Sequence, residues 1–208
     1  MENSTKTASN LIDELAGSCV SFVKRALDLE LDFTSETLPI VDHYLREHTA
    51  AVAKNSDSKA YEEVVSLIAP AAGAYFGTVV QRELKQGRWF CPEQDFSNYR
   101  FEFEHCFLHF NPIGTALETM LREHAPGWHS HFELLSEDQE VVTESLKRST
   151  EISEDDYFRL SVRFDTLQHI ESILMAKAAA EGKQNQVFQH EAYDAEIARQ
   201  SKIQSKEN

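Results

Sequence analysis

The sequence predicts an α+β chain that is mainly helical, with helices around a central hydrophobic helix and a small antiparallel sheet. Three observations carry that expectation. Val64 to Gln81 is an eighteen-residue run without a charge in a chain that is 26% charged, and its apolar residues cover most of a helical circumference, the pattern of a helix enclosed by others. The flanking segments repeat apolar residues at helical spacing behind hydroxyl or acidic residues placed where caps belong. Between Arg88 and Phe110 the period shortens to two, the signature of strands.

In chain order, Ser9 or Asn10 caps a first helix of about five turns that carries Leu11, Leu15, Phe22, Val23, Ala26 and Leu27 inward, with Asp13 and Glu14 in its first turn. Thr34 or Ser35 caps a second, with Leu38, Val41, Leu45 and Val52 on one face and Pro39 tolerated near the start. Asn55 to Ser58 reads as a polar turn. The central helix then runs from about Lys59 to Lys85, closed by Gly87. Within it Ala69, Gly73 and Gly77 recur every fourth residue, a smooth stripe along which another backbone can approach, which offsets the cost of mid-helix glycine. Pro70 cannot donate to the Ser66 carbonyl, so a kink is expected there.

Tyr99 to Phe110 alternates, as one strand or as a tight hairpin near Glu104 and His105, giving a sheet of two or three strands. Asn111 and Pro112 cap and start a helix that stops at Pro126-Gly127. His129 to Leu135 fits a short strand or a helix entry. Ser136 with Gln139 forms a capping box, and Ser153 with Asp156 opens a last long helix through Tyr157, Leu160, Phe164, Leu167, Ile170 and Leu174. Residues 1–182 are expected as a single domain. Residues 183–208 are a polar tail, helical or disordered, with Val187, Phe188, Tyr193, Ile197 and Ile203 as its sizeable apolar groups.

Composition narrows the function classes. The formal net charge of -15 disfavours nucleic acid and anionic membrane surfaces, which call for clustered Lys and Arg. A transmembrane reading of the uncharged run is disfavoured by Ser66, Pro70, two glycines and Thr78, with charges against both ends. Cys19, Cys91 and Cys106 are too few and too scattered for a disulfide framework or a zinc ribbon, and no export signal opens the chain, so a cytoplasmic location is expected. No nucleophile elbow, phosphate-cradling glycine loop or calcium loop is present.

The remaining chemistry lies in clusters. Five of the nine histidines fall between His105 and His131. His105 and His109 share a face, as do His129 and His131 if theirs is a strand, and two such pairs on adjacent strands could hold a metal, with Glu102 or Glu133 nearby in sequence. Tyr75, Arg82 and Trp89 are candidate binding residues if they converge with these histidines. The nine acidic residues between Glu133 and Asp156 read mainly as capped, solvated helix faces.

Leu31-Asp32-Phe33-Thr34, Gly73-Ala74-Tyr75-Phe76-Gly77-Thr78-Val79, Arg82, Gly87-Arg88-Trp89, Asn111-Pro112-Ile113, and Asp155-Asp156-Tyr157 with Ser161 and Arg163 together resemble the motifs of an uncharacterised bacterial domain family. The resemblance spans about residues 30 to 175. It implies a helical domain with a small sheet and adds Arg163 to the binding candidates, but it implies no activity, substrate or cofactor. Where the family pattern has glutamate after the second glycine, this chain has Thr78, so a carboxylate role there would be absent. The functional expectation from sequence is a non-enzymatic, cytoplasmic protein-binding module, possible as an immunity or regulatory factor. The alternative is a metal- or small-molecule-dependent enzyme with its site near the strand histidines.

Overall fold

The computed structural model describes residues 2–55, 58–92, 95–148 and 152–207. Helix α1 (Glu2–Leu27) starts seven or eight residues before the expected cap; α2 (Leu38–Asn55) follows a 3-10 turn at Ser35–Thr37, and α3 (Ser58–Leu84) runs without a break through Pro70. The polar turn expected between Asn55 and Ser58 falls on residues 56 and 57, outside the described residues. Every residue from Ile68 to Val80 is buried, although Val64–Leu84 is long and apolar enough to cross a membrane by length and composition; 67% of that window is covered by the fold. The central helix is therefore a core element, packed by α1, α2 and the fourth helix, α4 (Pro112–Leu121).

The glycine stripe divides its work. A Cβ on Gly73 would overlap the Ile113 backbone at the start of α4, and one on Gly77 would overlap the Trp89 indole. One glycine admits a backbone and the other a ring. Both tolerances offset the mid-helix glycine cost by close packing.

The sheet has four strands, one or two more than expected: β1 (Arg88–Phe90), β2 (Arg100–Glu102), β3 (Leu108–Phe110) and β4 (Glu133–Leu134), joined as an antiparallel meander in the order β1-β2-β3-β4. The alternating segment is a hairpin, with Phe103 N–H donating to the Leu108 carbonyl (3.0 Å) across the turn. That turn changes the phase of the alternation. Its register sets Trp89, Phe101 and Phe110 side by side as one row, and Arg88, Glu102, His109 and Glu133 as the next. Adjacent rows point to opposite faces. The aromatic row packs on α3, where Phe76 meets Phe110 edge-on at 5.9 Å, and the polar row lies on the other face.

After β4, α5 (Ser136–Lys147) has Leu135 as its N-cap residue and no side-chain cap, so Ser136 does not act as the capping box expected. Ser153 does cap, accepting from Asp156 N–H (3.1 Å), but the helix it opens is the single turn α6 (Glu154–Tyr157). The long helix restarts as α7 (Leu160–Ala180), whose own N-cap residue, Arg159, contributes no side-chain bond. Its cap comes from α2. The buried Asp42 carboxylate accepts from Leu160 N–H (2.6 Å), Ser161 N–H (3.1 Å) and the Ser161 hydroxyl (2.6 Å), satisfying donors that a helix start leaves open. One turn along α2, Arg46 pairs with Asp155. The tail forms α8 (His190–Glu207), which lies against the sheet's polar face through the fully buried Tyr193.

Candidate functional site

The polar row is held by opposite charge. Glu102, fully buried, accepts from Arg88 Nε (3.2 Å) and Arg100 Nε (2.7 Å) and meets His190 Nδ1 of α8 at 2.8 Å. Two guanidiniums meet the requirement that a buried carboxylate be paired. Arg88 also donates to the Phe188 carbonyl (2.8 Å) and Arg100 to Asp194 (2.8 Å), while the Arg100 guanidinium lies 4.6 Å from the Phe90 ring centroid. Tyr193 completes the attachment. Its hydroxyl sits 2.6 Å from the Phe103 carbonyl, 3.1 Å from that of Cys106 and 3.3 Å from that of Leu108, plugging the β2–β3 turn.

Beside this anchor, α8 and the sheet leave a cleft of about 480 Å³. Arg100, His109 and Glu133 form its polar floor, Phe90, Tyr99 and Phe110 add aromatic surface, His129 enters from a loop, and Ile197 and Gln200 of α8 close one side. Burial, aided by the Arg100 and His129 charges, pushes His109 down to about 3. It is therefore a neutral imidazole near pH 7, with one donor and one acceptor nitrogen.

A second constellation is built by the loop after α4. Arg122 adopts a left-handed conformation (φ 57) that ends the helix, and the chain turns at Pro126-Gly127, where Trp128 N–H donates to the Ala125 carbonyl (3.2 Å). Asn111 fixes the returning strand of the loop. Its N–H donates to the His129 carbonyl (2.8 Å), its Oδ1 accepts from Ile113 and Gly114 N–H, and its Nδ2 donates to the Phe96 and Ser97 carbonyls. Thr115 donates to the Ser130 carbonyl (3.3 Å). The result brings His124 and His131 to within 5.1 Å of each other by ring centroid, beside buried Glu118. Glu118 Oε2 accepts from Arg163 (2.6 Å), and its Oε1 accepts from Ala125 N–H (3.1 Å) and lies 3.3 Å from His124 Nδ1. His131, Tyr157 and Arg163 also line an adjoining cavity of about 350 Å³.

The residues singled out from sequence separate. Tyr75 and Arg82 converge on Phe33, not on the histidines: the Tyr75 hydroxyl accepts from Phe33 N–H (2.9 Å), the two rings stack at 4.8 Å, and Arg82 lies 4.3 Å over the Phe33 ring. The Thr37 hydroxyl, 2.6 Å from Tyr75, donates onward to the Thr34 carbonyl (2.8 Å). This chain of bonds holds Phe33 at φ 64, a conformation a bulky residue rarely adopts. Trp89 packs over Gly77, and its buried Nε1 finds no acceptor among the described residues. Arg163 belongs to the Glu118 cluster.

The four-histidine metal set is likewise corrected. His105 is exposed in the hairpin turn, His109 and His129 line the cleft, and His131 joins His124. Among the described residues, the one His, Cys, Asp and Glu group with converging ligand atoms is Glu118, His124 and His131. The hairpin removes His105 from the strand face, and the stapled loop keeps His129 and His131 outside β4. Glu118 and Arg100 carry no local sequence signal; His124 lies in the histidine-rich stretch but outside its two pairs, and Tyr193 stands among the apolar groups of the tail without a marked role. The thiols are not activated: burial pushes Cys19 and Cys91 up to about 12 and raises Cys106 as well.

Comparisons with models of protein families, with curated proteins and with solved structures find no match.

Proposed function

We propose that the protein binds a small molecule in the cleft between the sheet and α8. The observation that carries this reading is the cleft itself: its volume of about 480 Å³ falls in the range of ligand pockets, roughly 300–1,000 Å³, and it combines aromatic walls with a few convergent polar groups, as such pockets do. A neutral His109 offers a donor and an acceptor, Glu133 an acceptor and Arg100 a cation already shared with Glu102 and Asp194. These groups suit a planar ligand bearing both donors and acceptors. The test is a fragment screen by NMR that follows the imidazole signals of His109 and His129. Hits should move both signals and be lost in Gln200→Trp, which fills the cleft from α8. Hits unaffected by that substitution, or none at all, would remove the reading.

Protein binding is the second reading, and a separate groove favours it. Val65, Pro70, Phe96, Leu121 and Trp128 line an almost wholly apolar hollow of about 330 Å³ beside α3 and α4, suited to an apolar side chain from a partner helix. A partner held there would be lost in Leu121→Asp and retained in Gln200→Trp.

A further inference from the structure

We propose that Glu118, His124 and His131 form a binding site for a zinc-class divalent metal ion, independent of the cleft. The three offer ligand atoms that all lie within 4.8 Å of one another. In a tetrahedral zinc site with bonds of about 2.0–2.1 Å, neighbouring ligand atoms sit about 3.3 Å apart. The Glu118 Oε1 to His124 Nδ1 separation is 3.3 Å.

The simpler account makes His124 a protonated partner for Glu118. Arg163 already fills that role: its side chain and that of Glu118 are almost completely buried and paired at 2.6 Å, so a second cation is not needed for neutrality. That account also gives His131 no task, although the loop carrying it is fastened to the start of α4 by the Asn111 to His129 and Thr115 to Ser130 bonds. Two exposed imidazoles are thus held against a carboxylate whose charge is already balanced. Arg163 fixes Oε2, and Ala125 N–H donates to Oε1, which faces His124, the kind of outer support that orients a metal-binding carboxylate.

Two imidazoles and one carboxylate form the donor set of open zinc sites, in which a fourth position stays free. With Arg163 in place a divalent ion leaves the cluster two charges positive, which favours an anion there, hydroxide or a carboxylate. His131, Tyr157 and Arg163 line the adjoining cavity, so that anion has room beside an arginine.

Calorimetric titration of the chelator-treated protein with zinc chloride tests the site. The native chain should take up one zinc ion, and the His124→Ala/His131→Ala double variant none at the same concentrations. Both positions are exposed, so the double variant should fold, which circular dichroism checks. A His43→Ala/His105→Ala variant, altered at two other exposed histidines, should retain uptake. Cobalt(II) in place of zinc should give the visible bands of a tetrahedral ion in the native chain and in His43→Ala/His105→Ala, and none in His124→Ala/His131→Ala. No uptake by the native chain, or unchanged uptake by His124→Ala/His131→Ala, overturns the proposal. Neither outcome bears on fragment binding in the cleft.

Discussion

His109 is the residue at which the packing has the clearest chemical consequence. Its row neighbours are Glu102 and Glu133, Arg100 and His129 share its cleft, and the Tyr193 ring meets it edge-on at 5.5 Å. Burial dominates and holds the imidazole neutral down to about 3, whereas in the unfolded chain a histidine takes its proton near 6.5. Between those values the unfolded state binds more protons than the folded one, so this residue's contribution is intact above about pH 6.5 and is lost as the pH falls, by roughly 1.4 kcal/mol per unit. Urea unfolding of the native chain and of His109→Gln across that window checks it. The stability gap between them should narrow on the acid side, since groups common to both cancel; a constant gap would place His109 in contact with water.

Among elements, α3 and α4 are joined at a point with no room to spare. Gly73 lies against the Ile113 backbone, which cannot rotate away as a flexible side chain could. Gly73→Ala should therefore destabilise by about 1–3 kcal/mol through overpacking. Gly17, in α1, has open space where a Cβ would go, so Gly17→Ala should stabilise by up to about 1 kcal/mol through helix propensity. Thermal unfolding of both variants reads opposite signs from one chemical change; equal effects would mean that α4 stands off from α3. The Asp42 cap of α7 belongs to this scale too. A helix whose own N-cap residue makes no side-chain bond begins where a carboxylate from α2 meets its first amides.

For the whole molecule, α8 decides whether the sheet has a second buried face. Its Tyr193 hydroxyl donates to the Phe103 carbonyl of the β2–β3 hairpin and lies within 3.3 Å of two more, and its His190 and Asp194 engage Glu102 and Arg100. Tyr193→Phe leaves that hydroxyl's partners buried without it, a cost of about 1–3 kcal/mol, or several degrees in melting temperature at about 2–4 °C per kcal/mol for a chain of this size. Removing residues 189–208 should cost more and expose the polar row to solvent. A calorimetric scan of each separates the cases: if truncation costs no more than Tyr193→Phe, α8 contributes little beyond one hydroxyl.

The sequence by itself determined most of the helices, the burial of Ile68 to Val80 within the uncharged run, the Asn111-Pro112 start and the Ser153 cap, because periodicity and capping act within one or two turns, but not the break that separates the single turn of α6 from α7. It also marked Tyr99 to Phe110 as strand. Only the tertiary structure decided which face each of those residues takes, since the turn at 104–107 changes the phase and sets His109 beside Glu102 and Glu133 rather than in line with His105. The same holds for three other residues: Tyr75 reaches back to Phe33, Ser161 to Asp42 and Arg163 to Glu118. Those pairs are separated by between 42 and 119 positions, and no local pattern encodes a partner that distant. Their contacts arise when the helices close around α3, which is also what brings His124 and His131 to a single carboxylate.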